Sequence, residues 1–112
     1  MSDDGSRAAI LARLSAVIEE RKGADPNSSY TAKLFDSGRA EIARKLGEEA
    51  LETVIAALHQ DNQALAAESA DLIYHLLVLW ADADLSPDEV WQELARREGT
   101  SGIDEKNTRS RN

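Results

Sequence analysis

Glu49 and Glu52 stand three residues apart in otherwise apolar helical sequence, and Glu68 and Asp71 repeat that spacing further on. Residues three apart on an α-helix share a face, one turn above the other. Fifteen residues separate Glu52 from Glu68, enough to finish one helix, turn, and start an antiparallel one. A chain folded this way brings four carboxylates to one place. Charges so placed repel one another, and a bound cation or a captured proton is the usual resolution.

The remaining sequence is helical in pattern as well. Ile10, Leu11, Leu14, Val17 and Ile18 form a helical stripe within a first helix over Ser6 to Arg21, ended by Gly23 and Pro26. Asn27-Ser28-Ser29 offers caps for a short helix through Phe35, with Tyr30, Leu34 and Phe35 as its buried side. A long helix is expected from about Arg39 to His59, its apolar face made of Ile42, Leu46, Ala50, Thr53, Val54 and Ala57. Glu49 falls on the edge of that face, Glu52 on its flank, and Glu48 further out. After a turn at Gln60-Asp61-Asn62, a helix to about Ala83 is apolar nearly all round, which predicts a central, buried element. Its polar exceptions, Glu68, Asp71, His75 and Asp82, fall on one stripe. Ser86-Pro87-Asp88-Glu89 starts a last helix that stops at Gly99. No strand pattern competes, so the expected class is all-α, a small up-and-down bundle in a single domain over residues 1–112.

Charge separates the chain into a centre and two flanks. From Leu46 to Ala95 there are eleven acids and no Lys or Arg, and all thirteen basic residues lie outside that stretch. The centre suits a cation and the flanks suit an anion. The net charge of −8 argues against a nucleic-acid partner. No cysteine is present, which excludes disulfides and thiolate metal sites and suits a reducing cytoplasm. The acidic start and the shortness of the Leu76–Ala81 apolar run argue against a signal peptide and a membrane span.

All-oxygen ligation by Glu49, Glu52, Glu68 and Asp71 favours a hard ion, Mg²⁺ or Mn²⁺. The competing reading is a solvated acidic face. A di-iron bundle would need Glu-x-x-His on two helices, and neither Glu52 nor Glu68 has a His three residues on. His75, one turn beyond Asp71, is either a satisfied core residue or a ligand, base or substrate contact. Trp80 and Trp91 suit a core or a subunit interface. The apolar helix before Ala83 has few covering partners in so short a chain, which predicts burial against a second copy.

Glu49-x-x-Glu52 followed by Glu68-x-x-Asp71 resembles the signature of the MazG-like all-α NTP pyrophosphatases. Four further stretches resemble the phosphoribosyl-ATP pyrophosphohydrolase family. They are Pro26-x-Ser28-Ser29-Tyr30-Thr31-x-Lys33-Leu34, Lys45-Leu46-Gly47-Glu48-Glu49, Asp71-Leu72-x-Tyr74-His75 and Arg97-x-Gly99-x-Ser101-Gly102-x-x-Glu105-Lys106-x-x-Arg109. The likeness runs from about Leu11 to Arg109, with no departure at the signature acids.

This resemblance implies a dimerising helical bundle of four to five helices that needs Mg²⁺. It implies conversion of phosphoribosyl-ATP to phosphoribosyl-AMP and pyrophosphate, the second step of histidine biosynthesis. The alternative within the same superfamily is a house-cleaning pyrophosphatase acting on a free nucleotide. In either case Glu49, Glu52, Glu68 and Asp71 would hold the metal, and Glu48, Glu49 or Glu52 would act on the attacking water. Lys33, Arg39, Lys45, His75, Arg97, Lys106 and Arg109 are the candidate substrate contacts. Residues 100–112 are expected to form a mobile tail that folds over bound phosphates. The cysteine-ligated cyclohydrolase domain found fused to some members has no counterpart in these residues.

Overall fold

The computed structural model describes residues 3–99 with Gly102, Lys106, Asn107 and Arg109, and side chains from Ala9 onward. Its elements are α1 (Asp3–Glu20), α2 (Tyr30–Ser37), α3 (Arg39–His59), α4 (Asn62–Asp82) and α5 (Pro87–Arg97). No strand occurs among the described residues.

Local chemistry sets the boundaries. Ser29 caps α2, its hydroxyl accepting from the Ala32 N–H at 3.0 Å. Gly38 separates α2 from α3 at φ 94°, a left-handed conformation that favours glycine. Asp61 caps α4 through the Ala64 N–H at 2.9 Å. Ser86 and Glu89 form a reciprocal capping box at the start of α5, with Pro87 in its first turn.

The helices α3 and α4 form the antiparallel hairpin expected from the acid spacing, and α1 and α2 pack against it. The core unites Ile18 of α1, Leu34 of α2, Ile42 of α3, and Leu77, Val78 and Ala81 of α4. The helix α5 leans on α4 through an edge-on contact of Trp80 and Trp91, ring centres 5.7 Å apart.

Three expectations need correction. The inward line of α3 runs through Ile42, Leu46, Glu49, Thr53 and Ala56, whereas Val54 and Ala57 turn outward. Alternating steps of four and three follow the seam of two coiled helices rather than the face of a straight one, which puts Glu49 on the seam itself. Tyr30 is half exposed rather than buried, because Ala32 and Leu34 take the inner side of α2. On α4 only His75, Leu77, Val78 and Ala81 are buried, and Ile73 is exposed. By length and composition α4 would also pass for a membrane span, a resemblance that the interrupted apolar run in the sequence conceals. Here it is the packing partner of α3.

Ion pairs fasten the end of the hairpin away from its turn. Arg39 Nε meets Asp82 Oδ2 at 2.8 Å. Lys22 Nζ donates to the Ala81 carbonyl at 2.7 Å and to Asp84 at 2.8 Å.

Candidate active site

The hairpin brings the acids of both helices together. Carboxylate oxygens of Glu49, Glu68 and Asp71 all lie within 4.8 Å of one another. Glu52 borders the group and faces both Glu49 and Glu68. Thr53 lies between the two acid-bearing turns: its hydroxyl donates to the Glu49 carbonyl at 2.8 Å and lies 3.3 Å from the Glu68 carbonyl.

The electrostatics of this cluster are those of uncompensated charge. Burial, then the neighbouring charge of Glu52, pushes the Glu49 carboxyl above its ordinary range. Glu68 is raised in the same way, by burial and then by Glu52 and Asp71. Glu49 Oε2 and Glu68 Oε1 are buried and lack any hydrogen-bond partner among the described residues. A buried carboxylate oxygen without a donor is costly. Two of them, on facing helices beside a third acid, fit a hard cation with oxygen ligands.

The other expected residues divide into those near the acids and those apart from them. Lys45, half-buried, and Glu49 both act electrostatically on the Tyr30 hydroxyl. Glu48 turns to the cations of its own helix, paired with Arg44 and, at 3.6 Å, with Lys45. Lys33 lines an open cleft of about 380 Å³ with Pro26, Asn27, Ser28, Ser29 and Tyr30. His75 is buried, with Nδ1 bonded to the Asp71 carbonyl at 2.7 Å and Nε2 to the Tyr30 hydroxyl at 3.1 Å. Both ring nitrogens are therefore engaged, as a satisfied core histidine requires.

Arg39 is placed elsewhere. Ten residues before Glu49, it lies about 15 Å down α3 at a rise of about 1.5 Å per residue, where it binds Asp82. There it ties the start of α3 to the end of α4. Arg97 pairs with Glu93 on α5 at 3.0 Å. Lys106 and Arg109 are exposed and in helical conformation. The expected mobile tail falls largely on residues 100, 101, 103–105, 108 and 110–112, outside the described residues.

A cavity of about 440 Å³ lies between α1 and α5 against Leu11, Ala12, Pro87 and Trp91. It contains none of the clustered acids, so charge geometry rather than volume locates the site. Two neighbours of the acids were not singled out as site residues in the sequence, Thr53 and Tyr30. Thr53 sits four residues after Glu49 on the same line, a usable signal once the seam is known. Tyr30 follows a capping serine, and nothing in its spacing marks it.

Comparison with known proteins bears on the same residues. A family profile described as phosphoribosyl-ATP pyrophosphohydrolase matches residues 11–98. The chain is 63% identical over 109 residues to the phosphoribosyl-ATP pyrophosphatase of Azospirillum brasilense, covering 97% of this chain and 98% of the relative. It is 62% identical over 102 residues to that of Paramagnetospirillum magneticum, covering 91% and 94% of the two chains. Against that of Rhodospirillum rubrum the identity is 59% over 102 residues, covering 91% and 87%. With an all-helical fold, paired acids on adjacent helices and this degree of identity along nearly its whole length, the chain belongs to the phosphoribosyl-ATP pyrophosphohydrolase family.

Proposed function

We infer that this chain hydrolyses phosphoribosyl-ATP to phosphoribosyl-AMP and pyrophosphate, the second step of histidine biosynthesis, with Mg²⁺ held by Glu49, Glu52, Glu68 and Asp71. The family supports the reaction. The observation that carries the metal is the pair of buried, partnerless oxygens on Glu49 and Glu68 beside Asp71. Mn²⁺ has the same oxygen preference and is the natural substitute.

Water attacks the phosphoanhydride and pyrophosphate leaves, so the protein's task is positioning and charge neutralisation. When bound, Mg²⁺ would supply positive charge to the phosphate oxygens. Lys33, on the cleft beside Tyr30, and Lys45, one turn before Glu49 on α3, would bind phosphate. Lys106 and Arg109 would reach the same phosphates from the tail. Arg44 pairs with Glu48, which favours one of the four clustered acids over Glu48 for the attacking water. Burial raises both Glu49 and Glu68 above the ordinary carboxylate range, which suits proton abstraction.

The working form is a homodimer in the cytoplasm. Leu51, Val54, Ile55 and Leu58 make an exposed apolar stripe along α3 at i, i+3, i+4 and i+7, the pattern of a helix that packs on another. A second copy covers such a stripe economically.

The deciding assay compares turnover of phosphoribosyl-ATP with that of dUTP and the common NTPs, with and without Mg²⁺. Preference for phosphoribosyl-ATP and dependence on Mg²⁺ are expected. Faster turnover of a free nucleotide would favour a house-cleaning role. Calorimetry showing no Mg²⁺ binding, with or without nucleotide, would refute the metal site. Truncation after Gly99 is expected to raise KM or lower kcat with little change in Tm, and unaltered kinetics would remove the tail from the site.

A further inference from the structure

His75 is a buried polar side chain of the core, 5% exposed, and it connects two elements of the site. Its Nδ1 lies 2.7 Å from the Asp71 carbonyl. A carbonyl only accepts, so Nδ1 carries a hydrogen toward it. The Tyr30 hydroxyl, 3.1 Å away, is hydrogen-bonded to Nε2. The neighbouring residues repeat the link, with the Thr31 hydroxyl bonded to that of Tyr74. The rings of Tyr30 and Tyr74 stack at 6.3 Å, and that of Tyr74 meets the His75 ring edge-on at 5.1 Å.

Tyr30 and Thr31 are the first two residues of α2. Apolar burial holds that helix through Ala32 and Leu34, which leaves the direction of its first turn to these polar bonds. Apolar contact tolerates rotation and sliding, whereas a hydrogen bond fixes distance and direction. Tyr30 and Lys33 line the same cleft, and Asp71 is one of the clustered acids. The bonded chain Tyr30–His75–Asp71 therefore runs from the cleft to the acids.

We propose that Tyr30 and His75 are positioning residues for the substrate: their bond sets the start of α2, with Lys33, at a fixed offset from the acid cluster. His75 then acts through Tyr30, without touching substrate itself. This rests on the reading of the acids and Lys33 given above. Breaking the Tyr30–His75 bond weakens the grip of α2 on the substrate and leaves the chemistry at the acids in place.

The test uses Tyr30→Phe, which removes only the hydroxyl, and His75→Asn, whose amide donor takes the place of Nδ1 toward Asp71 and offers nothing at Nε2. Each is expected to raise KM for phosphoribosyl-ATP about tenfold with kcat within about twofold, the signature of lost uniform binding. The Mg²⁺ concentration for half-maximal rate should stay unchanged. The double variant should be no worse than the poorer single one, because both remove one bond. Unchanged KM in Tyr30→Phe would overturn the proposal. So would a shifted Mg²⁺ dependence, or effects that multiply in the double variant. Wild-type turnover of phosphoribosyl-ATP, measured alongside, shows separately whether the underlying reading of the reaction holds.

Discussion

The Thr53 hydroxyl stands 3.3 Å from the Glu68 carbonyl across the α3–α4 seam, while bonded at 2.8 Å to the Glu49 carbonyl of its own helix. A hydroxyl has one hydrogen to donate, and the nearer carbonyl takes it. The contact nevertheless puts a small polar residue where the two acid-bearing turns approach, in place of a bulky one that would part them. Thr53→Val preserves shape and removes the donor. It is expected to cost about 1 kcal/mol of stability and to raise the Mg²⁺ concentration needed for half-maximal rate. Urea denaturation and a Mg²⁺ titration of the rate check the two effects, and unaltered values of both would count against this role of Thr53.

Neutralising Glu49 separates function from stability. Glu49→Gln keeps the shape but removes a charge from the cluster, and Asp71→Asn does the same on α4. Both variants should lose pyrophosphate release, and added Mg²⁺ should no longer raise their Tm. Without metal, Glu49→Gln should melt at least as high as the wild type, because the charge it deletes is repelled in the fold. Near-normal turnover in both variants would defeat the metal assignment.

The raised carboxyls of Glu49 and Glu68 fix the sign of a pH effect. Below the ordinary value of 4.5 both acids are protonated in folded and unfolded chains alike, and they contribute nothing. As pH rises above it the unfolded chain ionises first, so stability falls until the folded carboxyls have ionised too. Metal-free protein should therefore lose Tm from these groups as the pH is raised from 4.5 toward neutrality, and saturating Mg²⁺ should reverse the loss. Glu93 works in the opposite sense. Hydrogen bonds from Arg96 and Arg97 hold its carboxyl at about 2, so its contribution is complete above 4.5 and lost as the pH falls through about 2. Melting curves across pH of wild type and Glu49→Gln isolate the first effect, which the variant should largely lack.

Among the described residues Leu58 is the most exposed large apolar side chain, at 71%, and Leu51 follows at 60%. If the α3 stripe is the contact between copies, Leu58→Glu should convert a dimer to a monomer with its helical circular dichroism intact. Sedimentation velocity at micromolar concentration reads this directly. A wild type that sediments as an active monomer would end the dimer proposal.

Most of the helical framework was legible in the sequence because its signals are local. Caps at Ser29, Asp61 and Ser86 and the break at Gly38 mark boundaries that the structure reproduces within a few residues. The meeting of the two acid pairs was legible too, since antiparallel packing follows from a short turn. The inward line of α3 was harder. Straight-helix geometry placed Glu49 at the edge and Val54 inside, whereas coiling against α4 reverses the two. The ion-pair partners of Arg39 and Glu48, Asp82 and Arg44, emerge only from packing and rotamers. The Tyr30–His75 bond spans 45 positions in sequence, and no periodicity reveals it.

The α3–α4 hairpin is closed at both ends, by the Gln60–Asp61 turn and by Arg39 on Asp82, with the acids in between. Their repulsion cannot relax by splaying the helices, so it remains as a standing demand for positive charge. Meeting that demand requires no backbone rearrangement. Capture of an ion should then follow a single kinetic phase, paced by how quickly the ion sheds its own water, a slow step for Mg²⁺, which dehydrates reluctantly.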